Sequence, residues 1–134
     1  MKKIGVMLLT LFGFYIVCAS PGFAADKKQL SDALAAVDAN LKTSAGKQYD
    51  EKIGQEFPAK YISNVRQCKQ TNPATSFDPF DVFLKLSSEG KVQEALVYPE
   101  TTLAVCTRTA LQSGQFSAPP HGEYWINIHL QPKR

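Results

Sequence analysis

The stretch Phe80-Asp81-Val82-Phe83-Leu84-Lys85-Leu86, followed by Ser87-Ser88-Glu89-Gly90-Lys91 and then Val92-Gln93-Glu94-Ala95-Leu96-Val97-Tyr98, decides the fold class. Phe80, Val82, Leu84 and Leu86 share one side of a period-two pattern, and Asp81, Phe83 and Lys85 the other, which is a β-strand. The five residues after it hold a glycine where a tight loop needs a positive φ. Val92 to Tyr98 then returns as a second strand, so the two form a hairpin.

Downstream, Pro99 ends the second strand and Thr101 or Thr102 caps a helix. Its inner face is Leu103, Cys106, Ala110 and Leu111, and Ser113-Gly114 closes it. After a loop containing Phe116, Pro119, Pro120 and Gly122, residues Glu123 to Gln131 alternate again. Tyr124, Ile126, Ile128 and Leu130 take one face, and Trp125, Asn127 and His129 the other. The order is strand, strand, helix, strand.

Upstream the period changes to that of a helix. Leu30, Leu34, Val37 and Leu41 form an amphipathic stripe for which Gly46 is the expected stop. Tyr49 to Phe57 reads as a second helical stretch, and Pro58 restarts a third that carries Tyr61, Ile62, Val65 and Cys68. Asn72-Pro73-Ala74-Thr75-Ser76 joins the two halves. The expected fold class is α+β: a helical half at 25–72 and a β-β-α-β unit with a three-stranded antiparallel sheet at 77–131, together one domain at 25–134.

The first 24 residues give the compartment. Lys2 and Lys3 precede an apolar run from Ile4 to Ala19, and Gly22 and Ala24 supply small residues at the −3 and −1 positions of a cut after Ala24. That is the pattern of a cleaved secretory signal and implies a periplasmic protein. The run is short against the roughly 20 residues of a membrane span. Val17 before Cys18 argues against lipidation.

Cleavage leaves about 110 residues, one domain in size. Loss of Lys2 and Lys3 reduces the fifteen basic residues to thirteen against twelve acidic ones. Acids and bases are interspersed, which argues against nucleic acid as a partner. Two cysteines remain, Cys68 and Cys106, and an even pair in an oxidising compartment reads as a disulfide. Two separate buried thiols are the alternative. A metal site is disfavoured because His121 and His129 lie in a different segment from either cysteine.

No catalytic, cofactor or metal motif is present. His121, with Glu123 nearby, and His129 are the only acid-base histidines, and no nucleophile can be placed beside either. Asp78 and Asp81 bracket Pro79-Phe80 and read as a turn residue and an outward strand residue rather than a carboxylate pair. Trp125 is either an exposed partner anchor or a residue packed under the N-terminal half.

Residues Phe80 to Gln131 resemble the C-terminal domain of the TonB superfamily. The matching features are the strand-glycine-strand unit through Gly90, the short helix Leu103 to Gln112, and Gly114-Gln115-Phe116-Ser117-Ala118-Pro119-Pro120 leading into the last strand. The resemblance implies a three-stranded antiparallel sheet packed on a helix, whose last strand can pair with a segment of another protein. The chain departs from the transducers in lacking a Pro-rich spacer and a histidine in its apolar segment, so energy transduction is not implied.

The expected function is therefore non-enzymatic binding of a protein or peptide, with Trp125, Asn127 and His129 as candidate partner-binding residues. The alternatives are an inhibitor or immunity-type protein of a secreted enzyme, with an exposed loop at 117–123, and a small periplasmic hydrolase with a histidine and a carboxylate in one apolar pocket.

Overall fold

The computed structural model describes residues 26–72 and 78–133. The expected signal sequence and the connecting residues 73–77 lie outside the described residues. Two N-terminal helices, α1 (Lys27–Leu41) and α2 (Ser44–Thr71), precede strands β1 (Phe80–Leu86) and β2 (Val92–Tyr98), helix α3 (Thr102–Leu111) and strand β3 (Tyr124–Leu130). The class is α+β, and the β-β-α-β order follows the alternation of the sequence.

Helix α1 opens with a capping box in which Asp26 accepts from the Lys28 N–H and Gln29 reaches back to the Asp26 N–H. Such a box satisfies amides that the first helical turn leaves without partners. The helix ends at Leu41, and Gly46 is not its stop: it lies in the first turn of α2, where its N–H donates to the Thr43 cap. A glycine is needed there because a Cβ would stand 1.8 Å from the Asn40 carbonyl oxygen.

The two helical stretches expected on either side of Pro58 are one continuous helix of 28 residues. An interior proline removes a hydrogen bond and crowds the carbonyl four residues earlier. Here that residue is Gly54, and both Gly54 and Pro58 face solvent, so water can reach the freed carbonyl.

In the sheet β1 is central, with the order β2-β1-β3 and both pairings antiparallel. The hairpin turns through Gly90, whose φ is +85° and whose Cβ would meet the Phe116 carbonyl oxygen at 2.1 Å. Only glycine fits both conditions.

The core has two parts, one on each face of the sheet. Phe80, Val82, Leu84, Leu86, Tyr124, Ile126 and Ile128 pack on α2 through Tyr49, Ile53 and Phe57 and on α3 through Leu103 and Leu111. Phe83 and Leu96, on the other face, are covered by Ala33 and Val37 of α1, with Leu30 and Trp125 against them. The sheet is thus sandwiched, with α1 on one face and α2 and α3 on the other. A disulfide joins Cys68 of α2 to Cys106 of α3, with Cα atoms 5.7 Å apart.

Candidate functional site: the open half of strand β3

Because α1 and α2 lie on opposite faces, the short link between them crosses the free side of β3. Asn40 Nδ2, at the end of α1, donates to the Trp125 carbonyl at 3.1 Å. On the opposite face the Tyr49 ring of α2 meets Tyr124 edge-on, with centroids 5.2 Å apart. The first half of β3 is therefore straddled.

The Asn40 bond also fixes the orientation of the strand. In an antiparallel pair the N–H and C=O of one residue point to the same side, and successive residues alternate. A Trp125 carbonyl that accepts from a helix outside the sheet faces away from β1. The register with β1 runs unbroken from Tyr124 to Leu130. Asn127 and His129 hence face outward too, while Ile126 and Ile128 bond to β1. Among the described residues nothing takes up the outward backbone groups of Asn127 and His129.

Beside this open half runs a groove between β3 and α2. A cavity of about 300 Å³ lies between Asn127 to Leu130 and the α2 residues Gly54, Pro58 and Ile62. Through Ile62 and Leu130 it continues into a second of about 440 Å³, which reaches Arg66, Lys69 and the tail at Lys133. Gly54, Pro58, Ile62 and Arg66 recur every four residues, which places them along one stripe of the helix. Nothing lies within 4 Å of where a Cβ on Gly54 would stand, so the missing bulk keeps the groove open.

The sequence candidates are distributed around this edge. Trp125 takes the second of its two placements, partly buried against α1 with Phe83 and Leu96. Asn127 lines the groove, and its Oδ1 is buried without a hydrogen-bond partner among the described residues. His129 is exposed on the α1 face, where its Nδ1 lies 3.0 Å from Asp81 Oδ1 of the directly opposed β1 residue. Asp81 is therefore engaged with His129 across the strands.

His121 sits in the loop before β3, its ring edge-on to Tyr124, and is remote from His129 in the strand. Among the described residues, His129 and Asp50 border this part of the groove, and no serine, cysteine, threonine or lysine lines it beside them. Among the described residues no cluster of histidine, cysteine and carboxylate groups could hold a metal, and no helix is long and apolar enough to cross a membrane.

The loop at Gln115–Ser117 is pinned to α2. Tyr61 Oη accepts from the Gln115 N–H at 2.7 Å, Tyr49 Oη donates to the Ser117 carbonyl at 2.7 Å, and Glu56 accepts from the Ser117 N–H at 2.9 Å. Burial pushes the Glu56 carboxyl up, but hydrogen bonds from Lys60 and Ser117 outweigh it and hold the group below its ordinary value. Burial pushes the Tyr49 phenol well above its usual range. From Ala118 to Glu123 the loop is mostly exposed.

The second sheet edge, β2, is closed at its start, where the Val92 N–H donates to the Gly114 carbonyl and Lys91 pairs with Gln115. Sequence reasoning named Asn127 and His129 but missed the α2 side of the groove. The signal was present in the Gly54 and Pro58 pair, four residues apart inside a stretch otherwise apolar enough to pack.

Comparison with family models, with curated proteins and with solved structures gives no match.

Proposed function

We propose that this chain is a non-enzymatic periplasmic protein, exported by a cleaved signal sequence, that binds an extended segment of another protein by adding it as a fourth strand to β3. The observation that carries this reading is the outward pair of backbone units at Asn127 and His129 beside an apolar groove. An unpaired edge is a template for strand pairing, and proteins ordinarily cover or charge such edges. Here the first half is covered by the α1–α2 link and the second is open.

Main-chain hydrogen bonds supply affinity in strand addition, and alternate side chains of the added strand supply selectivity. One set of those side chains would enter the groove between Ile128 and Ile62; the other would meet Asn127 and His129. The disulfide accords with an oxidising compartment. The TonB-like reading of residues 80–131 points to the same edge, as analogy at the level of fold.

Recovery of partners from periplasmic extract tests the proposal. The exported wild-type protein retains a partner, and a folded Asn127→Pro variant, which lacks one outward donor, does not. Equal recovery by both contradicts it.

A further inference from the structure

The groove beside β3 differs chemically from one end to the other. Near Asn127 its only charged wall residue on α2 is Asp50. At the far end, past Leu130, it is flanked by Arg66, Lys69 and Lys133, with no carboxylate side chain on its walls among the described residues. Lys69 Nζ donates to the Lys133 carbonyl, which holds the tail against α2. Neither Arg66 nor Lys133 forms an ion pair with another described residue. Between the two ends the walls are apolar: Ile53, Phe57 and Ile62 from α2, Ile128 and Leu130 from β3.

We infer that the groove selects an extended peptide with apolar residues at alternate positions and carboxylates at the end that lies beside Arg66, Lys69 and Lys133. The inference rests on the strand-addition reading and adds to it the charge and polarity of the partner segment. From Asn127 to Leu130 the open edge spans four residues, roughly 13 Å at the rise of a strand. A segment of four to six residues therefore covers the apolar part and brings its end to the cations. A carboxylate there meets the positive side chains of Arg66 and Lys133, and a lysine meets the same two at a cost, since like charges brought together disfavour the wrong partner. Asp50 acts in the opposite sense at the other end. Antiparallel addition places the carboxylates ahead of the alternating run; parallel addition places them after it.

The test uses four fluorescein-labelled peptides, each a six-residue run of alternating valine and threonine, with two aspartates or two lysines placed before or after the run. Binding to the exported, disulfide-bonded protein is followed by fluorescence anisotropy at low salt. One aspartate peptide is expected to bind at least tenfold tighter than either lysine peptide. The advantage should shrink at 0.5 M salt, where charges more than a few ångströms apart are screened. The double variant Arg66→Glu, Lys133→Glu alters only exposed side chains and should reverse the order. A Gly54→Leu variant, which fills the groove, should weaken every peptide. Tight binding with no preference for aspartate, or a preference unchanged in the double variant, overturns the charge inference and leaves strand addition standing. Failure of all four peptides to bind overturns both.

Discussion

The side-chain amide of Asn40 donates to the main-chain carbonyl of Trp125 across 3.1 Å, tying the end of α1 to the outer side of β3. One bond thereby closes the first half of an edge strand and identifies which backbone units of the second half face outward. Four expectations about stability follow from this arrangement and from the packing around it, and a fifth concerns the edge itself.

Asn127→Pro and Ile128→Pro separate the two sides of β3. Proline at an outward edge position removes no ladder bond, so Asn127→Pro should lose about 1 kcal/mol or less in urea unfolding. Ile128→Pro removes a bond to β1 and a buried side chain and should lose about 3 kcal/mol or more. Similar losses for both would mean that Asn127 faces β1.

Two glycines in one helix should respond in opposite ways to alanine. Gly46→Ala drives a Cβ into the Asn40 backbone and should destabilise the fold despite alanine's better helix propensity. Gly54→Ala has open space and should stabilise it by about 0.5–1 kcal/mol. Chemical denaturation of the two single variants measures both signs.

Reduction of Cys68–Cys106 should cost about 4 kcal/mol on the loop-entropy account, for a separation of 38 residues. Thermal unfolding with and without reductant reads the loss, and thiol titration of the native exported protein should find neither cysteine free. A reduced protein as stable as the oxidised one would show that the α2–α3 contact alone suffices.

Glu56 makes acid stability a test of the Ser117 anchor. Its folded carboxyl lies below the ordinary value of 4.5, so it contributes stability above that pH and loses the contribution as pH falls through the lowered folded value. Wild type should exceed Glu56→Gln in stability at neutral pH, and the gap should narrow as the solution is acidified. A gap independent of pH would detach the carboxylate charge from the anchor.

The period-two runs at Phe80–Leu86 and Tyr124–Leu130 were legible in sequence because each of these strands places one full apolar set on the α2 and α3 side, and Val92–Tyr98 was legible as the strand returning from the Gly90 loop. Phe83, Leu96 and Trp125 mark the opposite face, but their alternation with Asp81, Lys85, Glu94, Asn127 and His129 hides the fact that α1 covers only part of it. Gly46 misled as a helix stop because glycine serves equally where two backbones touch, and a close approach to Asn40 leaves no periodic trace. Pro58 misled because its position on the solvent side of α2, above Gly54, is a property of packing. Asn127 and His129 could be named from alternation alone. The wall of the groove could not, since it requires knowing that α2 runs unbroken beside β3.

Amide hydrogen exchange along β3 tests the central claim most directly. The account predicts alternation in the free protein: the Asn127 and His129 amides exchange fast, while those of Ile126 and Ile128, bonded to β1, are protected. Addition of the tighter-binding aspartate peptide should then protect Asn127 and His129 without altering Ile126 and Ile128. Asn127 and His129 amides that are already protected in the free protein, or that stay unprotected when the peptide is bound, would contradict strand addition at this edge.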